Sequence, residues 1–153
     1  MGRPIILFAP GAGQPSTSDW MRAWAGRLGT LGQVSTFDYP YMLAGRRRPD
    51  RPPVLLEAHR AALGAARAGR GDGPAVLVGK SMGGRVGCHL ALEEPVAGVV
   101  CLGYPLVGRR GDERSAVLLA LRVPALFVQG SRDPLCPLGR LAEVRARMAA
   151  PSA

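Results

Sequence analysis

The chain has 153 residues, a length at which a single fold hides roughly 68–70% of its unfolded surface, so one domain over residues 1–153 is expected. Apolar residues make up 47% and charged ones 20%, ordinary globular proportions that exclude wholesale disorder and a collagen-like fibre. The net charge of +9 would suit a polyanionic partner, but of the 20 basic residues only Lys80 is lysine, and the arginines are scattered except at Arg46, Arg47, Arg48 and Arg51. With aromatics at 5%, base stacking has little to work with, and no nucleic-acid surface is expected. No apolar run approaches the ~18 residues of a membrane span, and the start leads into too short an apolar stretch for a signal-peptide core. The expected location is cytoplasmic. Cys88, Cys101 and Cys136 are odd in number and lack CxxC spacing, which predicts reduced thiols, no zinc site and no cofactor.

Five short apolar runs alternate with stretches of helical period, the pattern of an α/β protein with a doubly wound, mostly parallel sheet of about five strands. In chain order the first strand is Ile5 to Ala9. Ser18 or Asp19 then caps a helix whose Trp20, Trp24, Leu28 and Leu31 share one face. A second strand, Val34 to Phe37, precedes a helix that starts after Pro52-Pro53, turns Leu55, Leu56, His59, Leu63 and Ala66 inward, and ends near Gly69. The third strand, Ala75 to Val78, runs into a helix from Ser81 toward Glu94, which Pro95 stops. Gly98 to Leu102 and Ala125 to Gln129 complete the strands, with helices over Glu113 to Leu121 and Leu138 to Met148.

In such sheets functional groups collect outside the carboxyl ends of the strands. The loop after the third strand reads Gly79-Lys80-Ser81-Met82-Gly83, a Gly-x-Ser-x-Gly string between strand and helix. That is the pattern of a nucleophile elbow, in which a sharp bend lifts the serine hydroxyl at the sheet edge and glycines avoid side-chain clashes. Ser81 is therefore the candidate nucleophile. The Met82 N–H, at the new helix's N-terminus, is the candidate oxyanion donor, and Ala12, in the small-residue loop Pro10-Gly11-Ala12-Gly13, is the second. The plain alternative is that Ser81 only caps its helix. Asp133 follows the fifth strand, where a carboxylate can orient a catalytic histidine; the local alternative is an Asx turn.

A histidine should come next in the chain, and none does. Both histidines, His59 and His89, precede Asp133. His59 belongs to an inward helix stripe, and His89 lies about 12 Å of helix rise beyond Ser81, pointing into packing or solvent. Losing the histidine of such a triad costs on the order of 10⁶ in turnover, so the expectation is a serine-hydrolase-type site for ester, thioester or amide hydrolysis that is nearly inert in this chain. The cluster Arg46, Arg47, Arg48 stands on the same side and is a weak candidate for holding a substrate carboxylate or phosphate. A solvated loop kept extended by Pro49, Pro52 and Pro53 is the plainer reading.

Taken together, Ala9-Pro10-Gly11-Ala12-Gly13 with Ser18-Asp19-Trp20-Met21, Phe37-Asp38-Tyr39-Pro40-Tyr41, Arg46-Arg47-Arg48-Pro49, Gly79 to Arg85, Cys101 to Leu106 and Gly130-Ser131-Arg132-Asp133 resemble the α/β-hydrolase-like family. The likeness is to the dienelactone-hydrolase-like branch that includes testis-expressed protein thirty and subunit three of the NSL histone-acetyltransferase complex. The resemblance implies Ser81 at the nucleophile position, Asp133 at the acid position, and Ala12 and Met82 as oxyanion backbone. Pro10 stands where the family usually has His, and no strand with an Asp-His turn follows the last helix. The resemblance thus implies a C-terminally shortened member, an α/β-hydrolase core lacking its last strand. Because relatives include scaffold-type members, a non-catalytic module that binds a protein partner stands beside the enzyme acting on a small-molecule acyl substrate.

Two nucleotide readings fit worse. A phosphate loop ending in Gly79-Lys80-Ser81 needs a glycine at position 74, which is proline. A dinucleotide fingerprint beginning at Gly11 lacks its third glycine and meets Pro15 where the helix should begin. A final expectation concerns the fifth strand: with no neighbour it presents unpaired groups along its apolar residues Ala125 to Val128, an exposed edge prone to self-association.

Overall fold

The alternating apolar runs assemble as a parallel sheet in a computed structural model that describes residues 2–153. Its strands are β1 (Ile5–Ala9), β2 (Gln33–Thr36), β3 (Ala75–Lys80), β4 (Gly98–Leu102) and β5 (Ala125–Val128), ordered β2-β1-β3-β4-β5 with every pairing parallel. β1 and β4 lie where their sequence places them, whereas β3 continues to Lys80 because Gly79 and Lys80 still pair with Cys101 and Leu102. The chain steps outward from β1 to β2 and then crosses back to β3. Loops leaving β1 and β3 therefore diverge and open a crevice at the carboxyl edge, the site-forming position of this architecture.

The connections carry α1 (Asp19–Leu28), α2 (Pro40–Leu43), α3 (Pro52–Ala68), α4 (Met82–Leu90), α5 (Ala116–Ala120) and α6 (Leu138–Arg147). Ser18 caps α1, its hydroxyl accepting the Met21 N–H at 3.3 Å. α1 stops at Leu28, so Leu31 leaves the expected stripe and is 68% exposed, and Met21 takes the buried place among Trp20, Trp24 and Leu28. α3 starts on two prolines, whose missing N–H groups have no partner to lose in a first turn, and buries Leu55, His59, Leu63 and Ala66 as expected. α4 is shorter than the sequence suggests: beyond Leu90 the N–H groups of Leu92, Glu93 and Glu94 turn back onto the carbonyls of His89 and Leu90. α5 also starts late, because Glu113 is drawn into an antiparallel bridge with Val107. The single turn α2 was not foreseen.

Side chains alternate across the strands and separate two layers. Ile5, Leu7, Leu77, Val99 and Cys101 pack with Leu63, Leu90, Leu118 and Val144, whereas Ile6, Phe8, Val78 and Leu102 pack with Met21, Trp20 and Trp24. The three cysteines are buried and reduced, Cys88 and Cys101 having their sulfurs 3.6 Å apart. Among the described residues no helix is long and apolar enough to cross a membrane.

The outer edge of β5 is not bare. Residues 151–153 lie beside it in parallel: Ala125 N–H donates to Pro151 O at 2.9 Å, Phe127 N–H to Ala153 O at 2.8 Å, and Ala153 N–H to Ala125 O at 3.1 Å. Arg145 holds this segment through Ser152 O at 2.7 Å. The expected open edge is thus capped from Ala125 to Phe127, although Leu126 and Val128 stay 44% and 46% exposed. Deleting Pro151, Ser152 and Ala153 is expected to lower stability by about 1–3 kcal/mol, because these strand groups lose their partners. It should also produce concentration-dependent self-association in light scattering, and an equally stable monomer would show that the pairing contributes nothing.

Candidate active site

β3 ends at Lys80 and α4 begins at Met82, so one residue makes the whole bend. Ser81 accordingly sits at φ 48°, ψ −114°, and no other non-glycine among the described residues has positive φ. Such a conformation costs about 1–3 kcal/mol and persists only where its surroundings fix it. The fixing is steric: a β-carbon at Gly79 would stand 2.2 Å from Gly84 N, and one at Gly83 would stand 2.5 Å from Pro10 O. Without these β-carbons α4 closes directly onto β3 and β1. The Ser81 side chain makes no capping hydrogen bond, which removes the helix-cap alternative. Its N–H donates to Leu102 O at 2.9 Å, and Ser81 is one of the residues lining a cleft of about 900 Å³.

Met82 and Ala12 line the same cleft. As the first residue of α4, Met82 has an N–H with no intrahelical acceptor, at the positive end of the peptide dipoles. The β1 loop that carries Ala12 is tethered twice from the segment after β2. Asp38 Oδ1 accepts the Ser16 N–H at 2.7 Å, and the buried Tyr41 hydroxyl donates to Ala12 O at 2.8 Å. Burial, helped by the Asp50 and Asp38 carboxylates, pushes the Tyr41 phenol up to about 12, so it remains a protonated donor. α1 begins only at Asp19, several residues after Gly13, which leaves the dinucleotide reading without its helix N-terminus. Lys80, the other half of the phosphate-loop reading, has its ammonium 4.7 Å from the Trp20 ring centre.

Asp133 stands at the same edge as Ser81, on the far side of the β4 end. Ser81 is bonded to Leu102, and Asp133 Oδ2 lies 3.8 Å from where a Gly103 β-carbon would be. The Gln129 amide oxygen takes the Tyr104 N–H at 3.0 Å, which aims its NH₂ at Asp133 Oδ2, also at 3.0 Å. Asp133 Oδ1 accepts the Leu135 N–H at 2.9 Å, so the Asx turn considered from the sequence is present. Both oxygens are held in place and neither meets an imidazole.

The two histidines stand in different surroundings. His59 is fully buried, with Nδ1 3.1 Å from the Tyr39 hydroxyl, and burial pushes its pKa down to about 3. His89 is exposed on α4 and shares the cleft wall with Ser81, a side of the helix that the sequence reading missed. Partial burial and the nearby Arg85 lower its pKa, with Glu93 opposing.

The arginine cluster divides. Arg46 pairs with Asp50 at 2.9 Å and, like Arg48, is not among the cleft-lining residues, whereas Arg47 is. Asp50 is itself committed, its Oδ2 accepting the Tyr41 N–H at 2.9 Å. The larger basic contribution was not foreseen: Arg85 from α4, and Arg109, Arg110 and Arg114 from the segment between β4 and α5. For Arg85 a signal was available, since it lies four residues after Ser81 on the same helical face.

A parallel sheet with a strained serine at a strand-to-helix bend and an acid after the strand two places further along the sheet defines the α/β-hydrolase class. The chain belongs to the alpha/beta hydrolase domain family, whose model matches residues 2–151. It is 39% identical over 84 residues to the lipase LipV of Mycobacterium tuberculosis, a stretch covering 54% of this chain and 32% of that enzyme. Less than two thirds of that relative's length is therefore matched. Among solved structures, an alpha-beta serine hydrolase homologue from Coxiella burnetii superposes with a TM-score of 0.79 at 18% identity, over 97% of this chain and 72% of the other. The dienelactone hydrolase of Anabaena variabilis gives 0.76 at 21% identity, over 99% and 72%. At these identities the likeness establishes the fold.

Proposed function

We propose that this chain carries a serine-hydrolase-type site for acyl compounds (esters, thioesters or amides) in which Ser81 is the nucleophile, Asp133 the acid, and the Met82 and Ala12 N–H groups the oxyanion donors. The observation that carries this reading is Ser81 itself, a residue of the cleft wall held at positive φ with no capping bond from its side chain. Ser81 Oγ adds to the acyl carbonyl carbon, and the negative oxygen turns toward the two N–H donors. The leaving group departs as the carbonyl re-forms, and water then releases the acyl group from Ser81. The serine proton needs an acceptor, and no histidine is hydrogen-bonded to Ser81 or Asp133 among the described residues, so the reading includes a site short of its base and slow by itself. The motif set from Ala9 to Asp133 supports placement in the branch of testis-expressed protein thirty and NSL complex subunit three, as part of the same proposal.

Labelling by a fluorophosphonate tests it. Slow modification confined to Ser81 is expected, lost in Ser81→Ala and accelerated at least tenfold by free imidazole, which the cleft of about 900 Å³ has room to admit as the missing base. No labelling with or without imidazole, or labelling that survives Ser81→Ala, overturns the reading. The second reading, a non-catalytic partner-binding module, is favoured by one observation: the Asp133 carboxylate is already taken up by Gln129 and the Leu135 N–H.

A further inference from the structure

Around the cleft, charges are unequally matched. Five arginines line it, Arg47, Arg85, Arg109, Arg110 and Arg114, against the two carboxylates of Asp50 and Asp112. Those carboxylates already have partners: Asp50 pairs with Arg46 at 2.9 Å and Asp112 with Arg114 at 3.1 Å. Arg85 is different from the rest. It is partly buried, forms no ion pair among the described residues, and its Nε has neither solvent exposure nor a hydrogen-bond acceptor. Withdrawing a guanidinium N–H from water without a partner is costly, and the fold supplies nothing that offsets it. Burial weakens the hold of Arg85 on its proton and Arg114 adds to the effect, with Tyr104 and Asp112 opposing. Nε is covered, so a ligand in the cleft meets Arg85 at its terminal nitrogens, which also have no hydrogen-bond partner among the described residues; two such donors at a cleft wall match a planar two-oxygen anion.

We infer that Arg85 is the seat for a carboxylate on the substrate, so that the cleft takes half-esters, acyl compounds bearing a free acid group at the end away from the scissile bond. Arg85 follows Ser81 by one turn of α4, an axial rise of about 6 Å, so a bound acid group and a carbonyl at Ser81 Oγ belong to one small molecule. Arg109 and Arg110, beside the bridge between Val107 and Glu113, add a positive field at the cleft wall that draws such anions in. The apolar Leu55, Leu56 and Val86 in the same wall leave room for a short aliphatic chain. This refines the acyl-hydrolase reading, on which it rests only for where the carbonyl lies; the acid seat itself does not need Ser81 to react.

The test is calorimetric binding of monomethyl glutarate, dimethyl glutarate and inorganic phosphate to the full chain and to Ser81→Ala, Arg85→Gln and Arg85→Lys. The half-ester is expected to bind wild type and Ser81→Ala alike, at least tenfold more tightly than the diester, and more weakly as ionic strength rises. Arg85→Gln should lose at least tenfold and Arg85→Lys less, since lysine keeps the charge without the fork. Equal binding of half-ester and diester to wild type, which requires no variant to fold, overturns the inference, as does unchanged binding by a folded Arg85→Gln. Binding of phosphate but not of the half-ester overturns the carboxylate assignment. Half-ester binding in a protein whose Ser81 never reacts with the phosphonate leaves the acid seat standing and removes the hydrolase.

Discussion

Acidification from pH 6.5 toward pH 4 is expected to cost this protein more stability than any single surface change, and one side chain is the cause. His59 lies fully buried on α3 against the Tyr39 hydroxyl and the Phe37 ring, and the α4 backbone at Gly87 closes over it. With no carboxylate beside it, burial alone sets its pKa at about 3 when folded, against 6.5 for an ordinary imidazole. The unfolded chain therefore takes up a proton near pH 6.5 that the folded chain refuses. Stability from this group is complete above pH 6.5 and falls as pH drops toward 3, by about 1.4 kcal/mol per pH unit and on the order of 5 kcal/mol in all. That is a large share of the ~5–15 kcal/mol typical of a whole domain. Urea unfolding measured across this range should show the slope, and His59→Phe should flatten it by one proton's worth while lowering stability at neutral pH, where Tyr39 loses its partner. An imidazole that titrates near 6.5 in the folded protein, followed by NMR, would remove the argument.

How much of this was legible follows from how locally each feature is encoded. The strands β1 and β4 and the start of α3 depend on runs of apolar residues and on prolines that act within a few positions, and they were read at or near their observed bounds. The elbow was equally readable, because its two glycines and serine fall within five residues, Gly79 to Gly83, and the glycines' purpose is steric. The destinations of long charged side chains are set by tertiary neighbours that no window contains. Arg46 finds Asp50 four residues away, but Arg140 reaches Glu113, and Arg60 joins α3 to Glu93 and Glu94 beyond α4. So the contiguous triplet Arg46, Arg47, Arg48 attracted notice while Arg85, isolated in the sequence, did not. The same holds for Tyr41, whose hydroxyl bonds Ala12 O from 29 residues away. The pairing of residues 151–153 with β5 was missed because Pro151 and the small residues after it carry none of the β-branched signal that marks a strand.

Gly79→Ala should be the most damaging single methyl in the chain. Its β-carbon would fall 2.2 Å from Gly84 N and 2.3 Å from Gly83 C, both backbone atoms of α4, so no side-chain rotation can relieve the overlap. Either the helix withdraws from β3, opening the layer between Cys88 and Cys101, or the elbow unbends and Ser81 gives up its φ of 48°. Overpacking of this kind costs about 3 kcal/mol or more where backbone must move. Gly83→Ala acts on the other flank: its β-carbon would meet Pro10 O at 2.5 Å and Ala9 O at 2.8 Å, pushing on the end of β1 from which the Ala12 loop leaves. Both variants are therefore expected to lose phosphonate labelling at Ser81 along with stability, because one contact surface sets the nucleophile and its oxyanion donors. Gly64→Ala on α3, where a β-carbon would meet nothing within 4 Å, provides the contrast. There the better helix propensity of alanine should stabilise the protein by about 0.5–1 kcal/mol and leave Ser81 untouched. Chemical denaturation of the three variants measures the difference directly, and a Gly79→Ala protein as stable as wild type would mean that α4 does not press on β3 and that the serine is not held at its bend by contact.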